Sequence, residues 1–305
     1  MIRHLLRLIW NQRKQNAWLW AELLLVSVFL WFLVDYLYVM GRTYTAPLGF
    51  DIRHTYSIVI SSLSERSPDY IPKEKRERPD GVHLLTALDR IRAYPGVESA
   101  CLTDGGMPYY MGSRNLVWRI DTLQVPCRYA FVTPEFFDVF RIYDKDGKTA
   151  SLKRAIEDNN SIVISADVET MNPGLSLLGQ KAYRGNVTDE IEETIRGISV
   201  PIRRHEYTKA EPNVYRALRL SRMEGMIDAV RLCVRVRPDV DNADFPARFR
   251  KDMAGQLRLG NLYLLDVQPL SYIRDGYIRS IGVENEVKTR VAVACFLLAN
   301  IFLGI

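Results

Sequence analysis

AWLWAELLLVSVFLWFLVDYLYV, residues 17–39, is apolar throughout except for Glu22 near one end and Asp35 near the other. Its 23 residues in a helix at ~1.5 Å each would cover roughly 35 Å, enough for a hydrocarbon core of ~30 Å with some tilt. Trp18 and Trp20 stand near one boundary, and Tyr36, Tyr38 and Tyr44 near the other. Rings with a wet polar tip suit headgroup depth, so Trp18, Trp20, Tyr36 and Tyr38 are the expected membrane-interface residues. A cleavable signal peptide is the competing reading. It needs an apolar region of only ~7–15 residues and a small-residue cleavage site. Here the run ends Asp35-Tyr-Leu-Tyr-Val-Met with no Ala-x-Ala pattern, so an uncleaved anchor is expected. A carboxylate in lipid is costly and can mark a pathway. Glu22 and Asp35 lie near the ends, where that cost falls, and the interfacial reading is preferred.

Arg3, Arg7, Arg13 and Lys14 precede this span with no acidic residue among them, whereas Arg42 stands alone just after it. The positive-inside rule then puts the N-terminus in the cytoplasm and residue 41 onward outside. Ile2, Leu5, Leu6, Ile9 and Trp10 recur at helical spacing opposite the arginines. Residues 1–16 therefore read either as an interfacial helix on the inner membrane face or as a basic flank with no fixed conformation. Near the other end, VAVACFLLANIFLGI, residues 291–305, carries no charge and no polar face. Its 15 residues make only ~22 Å of helix, short of a full crossing. Following Lys288 and Arg290, it reads as the start, from about residue 287, of a second span returning to the cytoplasm.

The whole chain of 305 residues has a formal charge of +5, and part of that surplus sits at the two ends. The nearly neutral middle argues against a nucleic-acid surface, which needs a basic patch. Residues 40–286 read as a mixed α+β domain long enough for two lobes. A strand at 56–63, a helix at 83–93 stopped by Tyr94-Pro95-Gly96 and a strand at 97–103 open it. Residues 116–122 and 125–132 form an expected hairpin. Thr133-Pro134-Glu135 then supplies an N-cap, a proline at the first position and an early acid for a short helix. Further strands are expected at 161–165, 183–188 and 193–202, with a short helix at 166–171. Residues 229–236 alternate as a half-buried strand would, 241–259 read as a helix, and 262–267 as a strand again. A helix over 272–287 is expected to run straight into the second span. Two strand-helix-strand units can share one sheet with helices on one face, leaving the middle as an insertion. The expected bounds are about 50–130 plus 226–270 for lobe one and about 131–225 for the inserted lobe.

Reactive groups form no recognisable constellation. There is no phosphate-cradling G-x-x-x-x-G-K-[ST] loop and no G-x-S-x-G elbow, and Gly105-Gly106 fits a tight turn. His4, His54, His83 and His205 are far apart, so surface or capping roles are expected rather than zinc ligation. Asp144, Asp146 and Gly147 resemble part of a calcium loop with the glycine at the wrong offset, which favours a plain turn. Asp239, Asp241 and Asp244 are expected to cap the helix that follows. Cys101, Cys127 and Cys233 would lie outside the cytoplasm, and Cys295 in the second span. Pairing of Cys101 with Cys127 is conceivable if their strands are neighbours, and small buried thiols are the commoner outcome. No catalytic, cofactor-binding or metal residue is nominated, no cofactor is expected, and the chain is expected not to be an enzyme.

MIRHLLRLIWNQRKQNAWLWAELLLVSVFLWFLVDYLY, residues 1–38, followed by VTPEFFDVF at 132–140, SIVIS at 161–165, SLLGQ at 176–180 and RVAVACFLLANIFLGI at 290–305, resembles the MacB/FtsX-type ABC transporter permeases. The likeness is to their Bacteroidota forms and covers the whole chain. It implies an inner-membrane subunit with a cytoplasmic N-terminus, a two-lobed MacB-like periplasmic core domain, and a dimer of permeases. A separate ABC ATPase would supply the motion passed to the periplasm for export or for handling lipoproteins, peptides or drugs. A periplasmic adaptor is a further partner the resemblance allows, and nucleic acid is not one. The alternative is a membrane-anchored periplasmic binding or sensor module without transport activity. Permeases of this family have four spans, with an ATPase-contacting loop after the second. This sequence stops at Ile305, so the resemblance implies the N-terminal part of a longer product or a shortened copy that cannot couple to ATP hydrolysis.

Overall fold

The structure, a computed structural model, describes residues 10, 17–112, 114–158, 160–185, 190–225 and 227–302. The expected interfacial stretch therefore lies outside the described residues except for Trp10, as do residues 303–305. The chain divides into two compact units, Met1–Ala46 with Ile278–Ile305, and Pro47–Tyr277.

In the first unit α1 spans Ala17–Thr45. Its stretch Trp20–Thr45 is the one helix among the described residues long and apolar enough to cross a membrane, and none of it is buried within the chain. Leu23, Leu24, Leu25, Val28, Trp31, Phe32 and Val34 are all exposed around its circumference, as a lipid-facing helix requires. The second unit ends in the first turns of α8, Leu270–Ile281, and the first unit resumes with the rest of α8 and with α9, Val283–Phe302. The continuous helix expected over 272–287 is interrupted. Gly282 takes φ +68°, the left-handed conformation that commonly ends a helix, and α9 starts afresh after it. α9 packs against α1: Phe29, Phe32, Leu33 and Tyr36 share a groove with Thr289, Arg290 and Val293. The Arg290 guanidinium lies 4.4 Å from the centre of the Tyr36 ring. Higher numbers on α1 meet lower numbers on α9, so the two helices run antiparallel.

The second unit is built on ten strands: β1 Thr55–Ser62, β2 Val97–Asp104, β3 Asn115–Ile120, β4 Leu123–Val132, β5 Ser161–Ser165, β6 Lys181–Arg184, β7 Ile191–Ser199, β8 Asn213–Ala217, β9 Val230–Val236 and β10 Leu262–Pro269. Four of them form an antiparallel sheet in the order β10-β1-β9-β2. With α2, Asp80–Arg92, joining β1 to β2 and α7, Phe245–Met253, joining β9 to β10, this is the split β-α-β arrangement of a ferredoxin-like lobe. Leu84, Leu88 and Ile91 of α2 and Phe245, Phe249 and Met253 of α7 pack on one sheet face with Ile58, Leu102, Leu232 and Val234.

The other face is covered too. Helix α3, Phe136–Val139, comes from the 132–140 motif and buries Phe136, Phe137, Val139 and Phe140 completely beside Cys101 and Cys233. Each such aromatic is worth on the order of 1.5–3 kcal/mol of burial. β9 is therefore covered on both faces, not half-buried as its alternation suggests. Arg235, on the side of Cys233, is fully buried and donates to the carbonyls of Val139, Arg53 and Asp51 at 2.7, 2.7 and 2.6 Å. α7 is shorter than the expected 241–259 helix, although Leu257 beyond it stays buried.

The remaining strands close on themselves. β3 pairs with β4 and β6, β6 with β7, β7 with β5, β5 with β8, and β8 runs parallel to β4, completing a six-stranded barrel. Trp118, Ile120, Val125, Cys127, Ile162, Ile164, Ala182, Ile195 and Val214 fill it, with Val168 of α5, Asp167–Met171. β4 is common to both parts, since its last residues also pair with β2. The 115–132 hairpin, expected at the end of lobe one, belongs to this barrel. Helix α4, Ala150–Glu157, packs Leu152, Ala155 and Ile156 among the residues around α3, and the short α6, Leu220–Gly225, follows β8.

Candidate functional site

Every strand of the barrel contributes to one open cleft of about 510 Å³ at its mouth. Leu116 and Trp118 come from β3, Tyr129 and Phe131 from β4, Ser161 from β5, Arg184 from β6, Glu193 from β7 and Arg216 from β8. Barrel mouths are favoured ligand positions because a rigid rim holds side chains from several strands at fixed spacing.

Glu193, only 3% exposed, is the hub of this cleft. Arg216 donates Nε and Nη2 to its Oε1 at 2.7 and 2.6 Å, a two-pronged contact. Trp118 Nε1 donates to its Oε2 at 3.3 Å, and Arg184 Nε stands 3.4 Å from the same oxygen. Burial above all holds the Arg216 guanidinium below its ordinary value, while the Glu193 charge opposes that shift. The Arg216 guanidinium also lies 4.9 Å from the centre of the Phe131 ring. Trp118, Tyr129 and Phe131 follow one another edge to face at centroid distances of 5.6 and 5.9 Å. The cleft thus sets arginine planes beside an aromatic wall. That combination suits planar or anionic groups.

A second cluster lies in a separate cleft of the same unit, lined by residues that begin β1 and precede α7. Asp241 does not cap α7. Its Oδ2 lies 2.5 Å from His54 Nδ1, and its Oδ1 accepts a bond from the Tyr56 hydroxyl. Burial first, and then the Asp241 carboxylate, push the Tyr56 hydroxyl well above its ordinary value. His54 sits at φ 57°, a left-handed conformation uncommon outside glycine, and its bond to Asp241 helps to hold it there. Asp244 stands at the N-cap position without a side-chain capping bond. Asp239 pairs with Arg237 at 3.3 Å on the exposed surface. Asp144 makes the plain turn expected of it, accepting the amides of Asp146 and Lys148 at 2.9 and 2.8 Å. Among the described residues no group of three His, Cys, Asp or Glu side chains could hold a metal ion.

Of the expected interface residues, Trp18 and Trp20 stand exposed in the first turn of α1, Tyr38 is exposed, and Tyr36 lies against Arg290. Cys101 faces Cys233 across β2 and β9, while Cys127 lies inside the barrel, so the conceivable Cys101–Cys127 pairing does not arise. All four cysteines are free. The cleft arginines escaped sequence reading because Arg184 and Arg216 fall on short strands whose neighbours are set only by barrel closure.

No family model matches the chain, and no curated protein matches it. Solved structures are similar to it, among them these three. The periplasmic region of MacB from Actinobacillus actinomycetemcomitans is 10% identical, covering 79% of this chain and 97% of its own, at a TM-score of 0.44. A domain of a putative permease protein from Porphyromonas gingivalis is 18% identical over 73% of this chain and 92% of its own, at 0.43. The extracellular domain of the noncanonic ABC-type transporter YknZ from Gram-positive bacteria is 11% identical over 69% of this chain and 100% of its own, at 0.40.

Proposed function

We propose that the chain belongs to a permease subunit of the MacB/FtsX type, anchored by α1 and α9, with residues 47–277 on the outer side of the membrane. One observation carries this reading: in each unit, taken by itself, the two connections to the other are neighbours. α1 and α9 pack side by side in the first unit. In the second, the first and last strands are paired, with Tyr56 opposite Pro269. A domain inserted between two adjacent antiparallel helices follows their relative movement, as a permease that passes motion across the membrane requires. Arg235 supports the same reading, because it ties the incoming segment at Asp51 and Arg53 directly to a central strand. A separate ATPase supplies the energy in this account, and the permease works as a dimer in the inner membrane. The experiment is to purify the native gene product bearing this sequence from its own membranes. Recovery of a Walker-motif ATPase in stoichiometric amount supports the proposal, and a membrane-embedded product without any ATPase contradicts it.

A further inference from the structure

A cavity of about 40 Å³ in the second unit is lined by four arginines, Arg114, Arg128, Arg203 and Arg204, and by no carboxylate. Two of the four are satisfied by the protein itself. Arg114 pairs with Asp104, whose side chain is 2% exposed. Arg203 donates Nε to the Thr208 carbonyl at 2.7 Å and Nη2 to the Glu206 carbonyl. Arg128 and Arg204 differ: each has its Nε buried without a hydrogen-bond partner. Among the described residues, neither is within ion-pair distance of an acidic side chain. The Arg204 guanidinium stands 5.9 Å from the centre of the Tyr277 ring.

The surplus charge is felt by the surroundings. Burial, and next the Arg204 charge, hold the Arg128 guanidinium below its ordinary value despite Glu211, Tyr215 and Tyr277. The neighbouring His205 is held below its own value by burial, with Arg204, Arg203 and Arg128 adding to the effect and Glu206 opposing it. A buried donor without a partner costs about 1–3 kcal/mol, more when charged. A protein keeps two such donors side by side when something else brings the acceptor. Arginine forks match the two oxygens of a carboxylate. One water needs only ~10–15 Å³ of such space, so the cavity suits a group the size of a few waters and excludes a nucleotide.

We propose that Arg128 and Arg204 bind the carboxylate group of an acidic ligand at this cavity. The inference stands on the second unit alone and does not depend on transport, so its failure and that of the permease reading are separable. Acetate titrated into the full chain in detergent should raise the unfolding temperature saturably, while acetamide, its neutral counterpart, should not. Arg128→Gln and Arg204→Gln should each weaken acetate binding on the order of tenfold or more. Without acetate they should unfold at or above the parent temperature, because each removes a half-buried cation whose buried Nε has no partner. A ring-proton titration of the histidines, of which there are four, should show the His205 pKa rising when acetate is bound. Arg128→Lys keeps a charge without the fork and should bind acetate more weakly while folding normally.

A short peptide ending in a free carboxylate, set beside acetate and beside the same peptide amidated, separates a chain terminus from a free small acid. Tighter binding of the free peptide points to a terminus, tighter binding of acetate to a small acid, and either supports a carboxylate site. The proposal is overturned if acetamide or the amidated peptide binds as well as its acid, or if inorganic phosphate binds more tightly than acetate. Acetate binding unchanged in both glutamine variants overturns it as well. So does a marked loss of stability in Arg128→Gln without ligand, which would give Arg128 a structural partner instead.

Discussion

Replacing Arg235 by methionine tests how the incoming segment is joined to the sheet. The side chain is fully buried, and its three donors reach the carbonyls of Val139, Arg53 and Asp51 at 2.7, 2.7 and 2.6 Å. The Asp51 carboxylate stands 3.9 Å from Nη1. Methionine fills much of the same space and leaves those acceptors unpaired. At about 1–3 kcal/mol per orphaned group the gross loss is roughly 3–9 kcal/mol. Part returns, because burial is the main cause holding Arg235 below its ordinary value and the variant no longer buries a cation. The net expectation is a loss of about 3–5 kcal/mol, the range seen when one partner of a buried charged contact is removed. For a unit the size of Pro47–Tyr277, each kcal/mol moves the melting temperature by about 2–4 °C. A drop of roughly 10 °C is therefore expected by near-ultraviolet circular dichroism of the full chain in detergent. Arg235→Lys should fall between the two, since a single ammonium cannot serve three divergent carbonyls. Amide exchange at 51–53 should quicken in both variants. A change below about 1 kcal/mol in Arg235→Met would refute the reasoning, because it would mean that water already serves these acceptors.

Further outcomes follow from the same geometry. His205 has its folded pKa lowered by burial and nearby arginines, with Glu206 opposing. Its contribution to stability is complete above about pH 6.5 and is lost as pH falls through the folded value. His205→Gln should flatten the decline in stability between pH 7 and pH 5, as read by denaturant titration, and an unchanged slope would contradict this. Trp118→Ala empties the middle of the barrel, where the indole is fully buried and bonds to Glu193. About 3–5 kcal/mol should be lost, and a loss under about 1 kcal/mol would contradict a packed barrel interior. Cys101, Cys127 and Cys233 are buried, and burial pushes the Cys127 thiol up to about 12. Maleimide should modify these three only after unfolding, as followed by mass spectrometry, and rapid modification of the native chain would contradict the burial.

The ferredoxin-like lobe was legible because its signals are local. Leu84, Leu88 and Ile91, and Phe245, Phe249 and Met253, repeat at helical spacing, and each set lies in the segment that joins two strands. The barrel was not legible as a barrel. Its closure depends on β4 running parallel to β8, a pairing such as Arg128 with Asn213 that no local pattern announces. β8, only Asn213–Ala217, carries too few residues to show a period. Alternation in β9 was real, but it could not reveal that α3 covers the second face and turns Arg235 into a buried anchor. Arg184 and Arg216 around Glu193, like Arg128 and Arg204, are separated in the sequence or masked by a balanced charge, and only topology gathers them. The break at Gly282 shows the opposite limit: one left-handed residue ended a helix whose flanking pattern was continuous.

The most direct test of the arrangement is the side of the membrane on which the second unit lies. Lys251, exposed on α7, and Lys14, ahead of α1, can each be replaced by cysteine in the full chain in intact cells. A membrane-impermeant maleimide applied from outside is expected to label Lys251→Cys at once, and Lys14→Cys only after the inner membrane is permeabilised. Labelling of Lys14→Cys from outside, or protection of Lys251→Cys until permeabilisation, would contradict the account.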